Sequence, residues 1–397
     1  MKVVHFTSGT VPIHSDTGGG VERHMRSVTS ELVKQGHSVT IVDNNYENGP
    51  SELNGVSIER FSTPRVSTGL FDGWLDTVSN EIIFASRLGR AESLVREADI
   101  VHAHNAYVGT RVSRLANKTN TPFAYTCHNG MWCVDDVNSY EKQIVRRVEK
   151  RLLTNAEIGV AVSRAVADGI EDVTGFYPNV IPNGVNVDDF RTDIDTSEVE
   201  RKYGLNDSRV VLFVGRMSEA KGIDILIKAV RPVIEDASEP VQFVLVGPNV
   251  QMFGSGTESE YKTEVQDLVE SERVGDNLQF TGRVPESDLA ALYALADVFV
   301  LPSRFEAQPM VIPEALASGT PVVGSTAGGI PEVITSEVGH VVPIEDPEAL
   351  AEGLTDILNL DSKEHEQLCR AARSHAVSEY SWPNITKQLT ELYRSVV

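Results

Sequence analysis

The sequence predicts an α/β protein of two doubly wound domains in tandem, each a parallel sheet with helices on both faces. Three observations predict it. The chain has 397 residues, and at roughly 150 residues per domain that length corresponds to two or three domains. Short apolar, β-branched runs alternate with amphipathic stretches along the whole chain, the pattern of strand-helix-strand units. A stretch rich in Pro, Asn and Gly, Tyr177-Pro178-Asn179-Val180-Ile181-Pro182-Asn183-Gly184, breaks the alternation and leads into the acidic residues 188–200.

Taken in order, the first half offers strands at 2–8, 38–43, 56–61, 100–104, 123–128 and 158–163, with helices at 20–35, 83–98 and 140–154 among those between them. The second half offers strands at 210–215, 241–247, 278–282, 298–302, 321–324 and 340–343, with helices near 222–236, 260–271, 286–296 and 310–318. The boundaries that follow are 1–182, 183–378 and a last helical segment 379–397 that starts at Tyr380-Ser381-Trp382-Pro383. Open α/β sheets bind ligands beyond the carboxyl ends of their strands, so two such domains are expected to face one another across a cleft. Chemistry is therefore sought in the loops that follow strands.

Composition excludes several classes. A formal charge of −22 argues against a nucleic-acid binder, whose affinity comes from Lys and Arg neutralising phosphates. Cys127, Cys133 and Cys369 cannot build a disulfide framework and fit a reducing compartment. The opening run Met1-Lys2-Val3-Val4-His5-Phe6 is too short for a signal-peptide core. No stretch reaches about 18 uninterrupted apolar residues, the length of a membrane span. The expected location is the cytoplasm.

Two loops carry chemistry. Gly215-Arg216-Met217-Ser218-Glu219-Ala220-Lys221-Gly222 leaves the strand at 210–215 and brings two cations five residues apart. Arg offers a fork of donors and Lys a point charge, a pair suited to a diphosphate, although a helix-capping loop with solvated charges has the same look. Glu306-Ala307-Gln308-Pro309-Met310-Val311-Ile312-Pro313-Glu314 follows the strand at 298–302. Pro309 suits a first helical position, and the amides near Met310 and Val311 would face an anion. Glu306 and Glu314 are poor phosphate ligands but good hydroxyl acceptors, as a ribose and a sugar require.

A Gly-Arg-x-x-x-x-Lys-Gly loop followed by a Glu-x7-Glu segment ending Glu314-Ala315-Leu316-Ala317-Ser318-Gly319-Thr320-Pro321-Val322-Val323 resembles the GT4 family of retaining glycosyltransferases, which have the GT-B fold. Further motifs are similar to that family in the same order. They are Gly18-Gly19-Gly20-Val21-Glu22-Arg23-His24, Asp99-Ile100-Val101-His102-Ala103-His104, Tyr125-Thr126-Cys127-His128, Ile181-Pro182-Asn183-Gly184 and Phe280-Thr281-Gly282-Arg283-Val284. The resemblance spans residues 2 to 395.

The resemblance implies transfer of a hexose-type sugar from a UDP- or GDP-linked donor to an acceptor hydroxyl, with retention at the anomeric carbon. Residues 1–182 would serve the acceptor, residues 183–378 the nucleotide sugar, and the last helix would cross back to the first domain. It gives Arg216 and Lys221 the diphosphate, Glu314 the ribose, the Met310 and Val311 amides the distal phosphate, and Arg283 and Val284 the base. Glu306 is placed by the donor sugar and His128 near the reacting carbon, with Gly19, Gly20, His104 and Asn183 on the acceptor side. Fixed cations leave no duty for a metal, and no cofactor beyond the nucleotide sugar is implied. The acceptor is a glycan, a lipid-linked molecule or a small molecule. Ala307-Gln308-Pro309 departs from the family's usual glycine- and phenylalanine-containing triplet, so the pocket facing the sugar differs.

Competing readings are weaker. A nucleotide-sugar epimerase of the same fold is the main alternative, and the Arg216/Lys221 loop and Glu306/Glu314 spacing resemble transferases. Cys127, His128 and Cys133 lack a fourth ligand at zinc spacing. Asp193-Ile194-Asp195 lies in a charged linker rather than at a strand end, so it reads as surface. Gly18–Gly20 is no dinucleotide fingerprint, since Val21 and Arg23 occupy the wrong positions. His102 and His104 alternate on a strand and share a face. Residues 142–153, Lys142-Gln143-Ile144-Val145-Arg146-Arg147-Val148-Glu149-Lys150-Arg151-Leu152-Leu153, form a basic amphipathic helix that suits an anionic membrane surface, a peripheral contact that a lipid-linked acceptor would use. A cover helix packing on the first sheet is the preferred reading.

Overall fold

The computed structural model describes residues 1–14, 19–45, 49–66, 74–128, 140–248 and 258–397. It divides into a first unit, Met1–Asn183 with Trp382–Val397, and a second, Gly184–Ser381. Asn183 thus goes with the first unit, and the final helix rejoins it from Trp382 onward.

The first unit holds eight strands: β1 Lys2–Phe6, β2 Ser38–Asn44, β3 Glu52–Leu53, β4 Val56–Phe61, β5 Ile100–Ala103, β6 Phe123–Cys127, β7 Ile158–Ala161 and β8 Asn179–Val180. Their order is β3-β4-β2-β1-β5-β6-β7-β8, all parallel except the β3–β4 pair. Helices α1 Gly20–Lys34, α2 Trp74–Arg87, α3 Glu92–Glu97, α4 Ala106–Thr119, α5 Tyr140–Asn155 and α6 Arg164–Thr174 lie between the strands. Strands buried on both faces need continuous apolar runs; Val3, Val4, Phe6, Ile100, Val101 and Ala103 are fully buried.

The second unit repeats the plan with β9 Arg209–Val214, β10 Val241–Val246, β11 Leu278–Gly282, β12 Val298–Leu301, β13 Val322–Ser325 and β14 Gly339–Val342. The order is β11-β10-β9-β12-β13-β14, parallel throughout. Its helices are α7 Ser197–Tyr203, α8 Ile223–Asp236, α9 Glu258–Glu272, α10 Glu286–Leu295, α11 Val311–Ala317, α12 Ile330–Val333, α13 Pro347–Leu358 and α14 Ser362–His375. A π-helical turn, Ala376–Tyr380, follows α14, and α15, Trp382–Arg394, returns to the first unit. There Tyr393 donates to, or accepts from, His102 Nδ1 at 2.6 Å, and Thr390 Oγ1 donates to Gln35 Oε1 at 3.0 Å.

The parallel strands of each sheet reverse their order once, at β1/β5 and at β9/β12, and such switch points are where open α/β sheets bind ligands. The expected helix 83–98 differs in detail. α2 starts at Trp74 and ends at Arg87, and Leu88–Ala91 tightens to a 3-10 turn around Gly89 before α3 begins. The expected helix 310–318 is shorter, at seven residues. Among the described residues no helix is long and apolar enough to cross a membrane. α5 works as a cover helix. Its Glu149, Leu152 and Leu153 are buried, with Glu149 accepting from Tyr125 Oη at 2.6 Å, while Arg147, Lys150 and Arg151 are exposed.

Candidate active site

In the second unit the two motif loops leave adjacent strands at the switch point. The first follows β9 and the second follows β12. They are tied together by Arg304. It forks onto Asp224 with Nη1 and Nη2 at 2.8 Å each, donates from Nη1 to the Glu219 carbonyl at 2.7 Å and reaches Glu345 at 2.9 Å. A forked pair of this kind is geometrically rigid as well as charged. The Asp224 carboxylic acid is held below its ordinary value: burial opposes this, and the Arg304 hydrogen bonds and charge overcome it. The glycines permit the close approach. A Cβ on Gly222, whose φ is +67°, would stand 2.1 Å from the Pro302 carbonyl oxygen, and one on Gly328 would stand 1.8 Å from that of Glu306.

This framework brings Lys221 and Glu306 together as an ion pair, with Ser303 Oγ donating to the same Glu306 oxygen at 3.2 Å. Glu314, on α11, is 2% exposed and accepts from Tyr293 Oη at 3.1 Å. Arg216 is exposed at the end of β9 and makes no ion pair among the described residues. Met310 caps α11 and Val311 opens it; seven residues make a weak dipole, so the cations matter more here for an anion. Arg283 is exposed just beyond β11, and Val284 packs partly against the core. Asp193 and Asp195 are exposed, one pairing with Arg191 at 3.3 Å and the other accepting from the Ser197 amide at 3.0 Å, as a surface linker would.

The first unit's switch point gathers five histidines. His5 Nδ1 lies 2.9 Å from His104 Nε2, and His104 Nδ1 lies 2.9 Å from His128 Nε2. His24, on α1, meets Asn183 Oδ1 at 2.9 Å; since that oxygen only accepts, His24 Nδ1 donates. His102 is held between Tyr393 and Thr126. His102 and His104 are both buried and stack at 4.2 Å, but His102 has its nitrogens engaged by Tyr393 and Thr126 whereas His104 links His5 to His128. Burial is the main force on all five rings. It pushes His5 down to about 3 and His24 down to about 4, against the Asn183 bond, and it holds His102, His104 and His128 well below the ordinary range. Gly19 caps α1 and Gly20 begins it. Gly18, Asn129, Gly130 and Cys133 lie outside the described residues. Cys127 is buried and turns its thiol toward Glu149, 3.8 Å away.

The roles of His5, His24 and His102 were not legible in the motifs. They sit 19 to 97 positions apart in the chain, and only sheet pairing, such as His5 opposite His102, brings them together. Lys221 and Glu306 were singled out separately, but nothing in the sequence pairs them across 85 residues.

The model of the Glycosyltransferase Family 4 domain matches residues 18–189, and that of the Glycosyl transferases group 1 matches residues 195–375. The chain belongs to the group 1 glycosyltransferases. It is 27% identical to a D-inositol 3-phosphate glycosyltransferase from Corynebacterium urealyticum, over 100% of this chain and 96% of that one. Among solved structures, a sucrose-phosphate synthase from Thermosynechococcus elongatus has a TM-score of 0.80 at 24% identity, covering 100% of this chain and 98% of that one. The Anabaena HepE protein, solved with UDP and glucose, has a TM-score of 0.76 at 21% identity, over the full length of both chains. These likenesses give this glycosyltransferase the GT-B fold, two parallel-sheet α/β domains.

Proposed function

We propose that this glycosyltransferase moves a hexose-type sugar from a UDP- or GDP-linked donor to an acceptor hydroxyl, retaining the anomeric configuration. The observation that carries this reading is the Lys221–Glu306 pair, held where the two loops of the β9/β12 switch point are tied by Arg304. A lysine fixed by one carboxylate keeps further N–H groups for a diphosphate. When the bond to the sugar breaks, its electron pair passes to the departing phosphate oxygen, and fixed cations stabilise the charge where it develops. Arg216 and Lys221 take that duty, with the Met310 and Val311 amides beside the distal phosphate, so no metal is required on the leaving group. Glu314, positioned by Tyr293, accepts from the ribose hydroxyls. Arg283 and Val284 receive the base, Glu306 and His128 carry the catalytic roles, and Gly19, Gly20, His104 and Asn183 serve the acceptor. The named activity of the Corynebacterium relative and the UDP and glucose bound by HepE support the nucleotide-sugar reading.

A panel of UDP- and GDP-sugars screened by thermal shift should raise the melting temperature for one base and one sugar. With that donor, nucleotide release should require an acceptor, and NMR of the product should show the donor's anomeric configuration. Sugar conversion with no acceptor-dependent release would point to an epimerase instead.

A further inference from the structure

We propose that the chain of rings His5–His104–His128 is a positioning device that fixes His128 in its Nδ1–H form, so that His128 meets the sugar as a hydrogen-bond donor and not as a base. The proposal rests on the reading that places His128 near the reacting carbon, and it adds His5 and His104 as positioning residues. The three rings come from separate elements of the first unit: His5 from β1, His104 just beyond β5 and His128 just beyond β6. His5 Nδ1 lies 2.9 Å from His104 Nε2, and His104 Nδ1 lies 2.9 Å from His128 Nε2. Ring centroids are 5.2 Å apart in both pairs, as far as nitrogens at that contact allow, so both bonds run head-on. Such linear geometry is the favourable one.

Each ring is neutral, because burial holds all three well below the ordinary range of histidine, and a neutral imidazole carries one N–H and one lone pair. The chain of rings then has two proton orders. In the first, His5 and His104 both donate from Nδ1, and His128 accepts at Nε2 and keeps its own proton on Nδ1. In the second, every bond reverses, His128 Nδ1 is bare, and His5 carries its proton on Nε2. His5 is fully buried, and among the described residues its Nε2 meets no hydrogen-bond partner. The second order would strand an N–H there, and orphaned N–H groups are the rarer defect in protein interiors. The first order leaves only a lone pair, and burial, which pushes His5 down to about 3, keeps it unprotonated.

The two ends of the chain of rings differ in the same sense. His5 is sealed inside β1, whereas His128 is partly exposed, so the surplus proton sits where a ligand is able to accept it. Which nitrogen of a histidine carries the proton is set by the bond that the other nitrogen makes, and His104 supplies that bond to His128. Both nitrogens of His104 are engaged, so its service to the acceptor side runs through His128. His24 steadies the ring: it meets His128 edge-on, with centroids 4.7 Å apart and planes at 77°, and is itself fixed by donating to Asn183 Oδ1 at 2.9 Å. No bond of the cluster has to break.

Nitrogen-15 NMR of the histidines in the unaltered full chain at neutral pH reads the tautomers directly, with no substrate and no variant that has to fold. His5, His104 and His128 should each show a protonated Nδ1 and a bare Nε2; an Nε2–H signal from His128 would overturn the proposal. In His104→Phe, His128 should become a mixture of tautomers, and a His128 that stays wholly Nδ1–H would remove His104 and His5 as the cause. Turnover gives the second arm. His128→Asn sets an amide at the place of Nδ1 and His128→Gln at the place of Nε2, so the Asn variant should be faster than the Gln variant by about tenfold, the scale of one well-placed hydrogen bond. A Gln variant as fast as the Asn variant, or faster, would overturn the proposal. Full turnover in His128→Ala would instead remove His128 from the reaction, a failure of the underlying reading that takes the proposal with it. A reversed tautomer with His128→Ala inactive is a failure of the proposal alone.

Discussion

The two units place their chemistry at the same point of the same plan and fill it with opposite materials. Each sheet reverses order beside its first strand, and each reversal gathers side chains from neighbouring strand ends. In the first unit the gathered groups are five imidazoles kept uncharged by burial. In the second they are ion pairs, Lys221 with Glu306 and Arg304 with Asp224. The fold supplies position, and residue identity decides whether that position holds charge. A net charge of −22 therefore says little about either site, since each site's charge is set locally by residues such as Lys221 and Arg304.

If charge in the second unit does the work of leaving-group departure, Lys221→Ala should show the largest effect. Turnover should fall by about 10²–10³-fold, the scale of losing one fixed stabiliser of developing charge, with the far-UV spectrum and melting temperature nearly unchanged. Steady-state nucleotide release checks this, and an unchanged rate would remove Lys221 from the mechanism.

A smaller effect separates the scaffold from the charges it carries. Gly328→Ala forces a Cβ against the Glu306 carbonyl at a φ of +49° and should cost about 1–3 kcal/mol, seen as a lower melting temperature. An equal melting temperature would mean that the Glu306 loop yields freely.

The buried histidines make the first unit the pH-sensitive one. Unfolded histidine takes its proton near 6.5, whereas folded His24 waits until about 4 and His5 until about 3. The unfolded chain binds more protons in that window, so stability falls as pH drops from 6.5 toward 4. Glu81 acts in the other direction. Burial raises it to about 8, so the folded state holds its proton longer, and its contribution declines as pH rises from about 4.5 to 8. Burial also raises Glu22 and Asp43, and five histidines set against these three carboxyls place the maximum of stability near pH 6.5. Melting followed by a first-unit probe, such as fluorescence of Trp382, should show it; a melting temperature that keeps rising to pH 8 would contradict the assignment.

The smallest effect concerns α5. Its C-terminal apolar residues Leu152 and Leu153 are buried in the first unit, so changing Arg146 and Arg147 to Glu should leave sedimentation with anionic liposomes the same. A loss of binding would restore the membrane reading.

Much of the fold was legible because strand-forming runs and their following loops are local in sequence. Both motif loops, 215–222 and 306–314, are legible in this way, each being one continuous stretch that follows a strand. The break within 83–98 was harder, since Gly89 is a weak signal inside an otherwise helical pattern. The histidine cluster was legible only in pieces. His104 and His128 stood at strand ends, but His5 lay inside a strand and His24 inside a helix, where each reads as ordinary core. Their meeting depends on strand order, and strand order is a tertiary property.

On the proposed function, Arg216 and Lys221 together hold a nucleoside diphosphate. Isothermal titration with UDP and with GDP, on the unaltered chain and on the Arg216→Ala/Lys221→Ala double variant, tests it most directly. One nucleotide should bind the unaltered chain, and the double variant should bind it at least 100-fold more weakly while melting at a similar temperature. Equal affinity in the two proteins would contradict that role for Arg216 and Lys221.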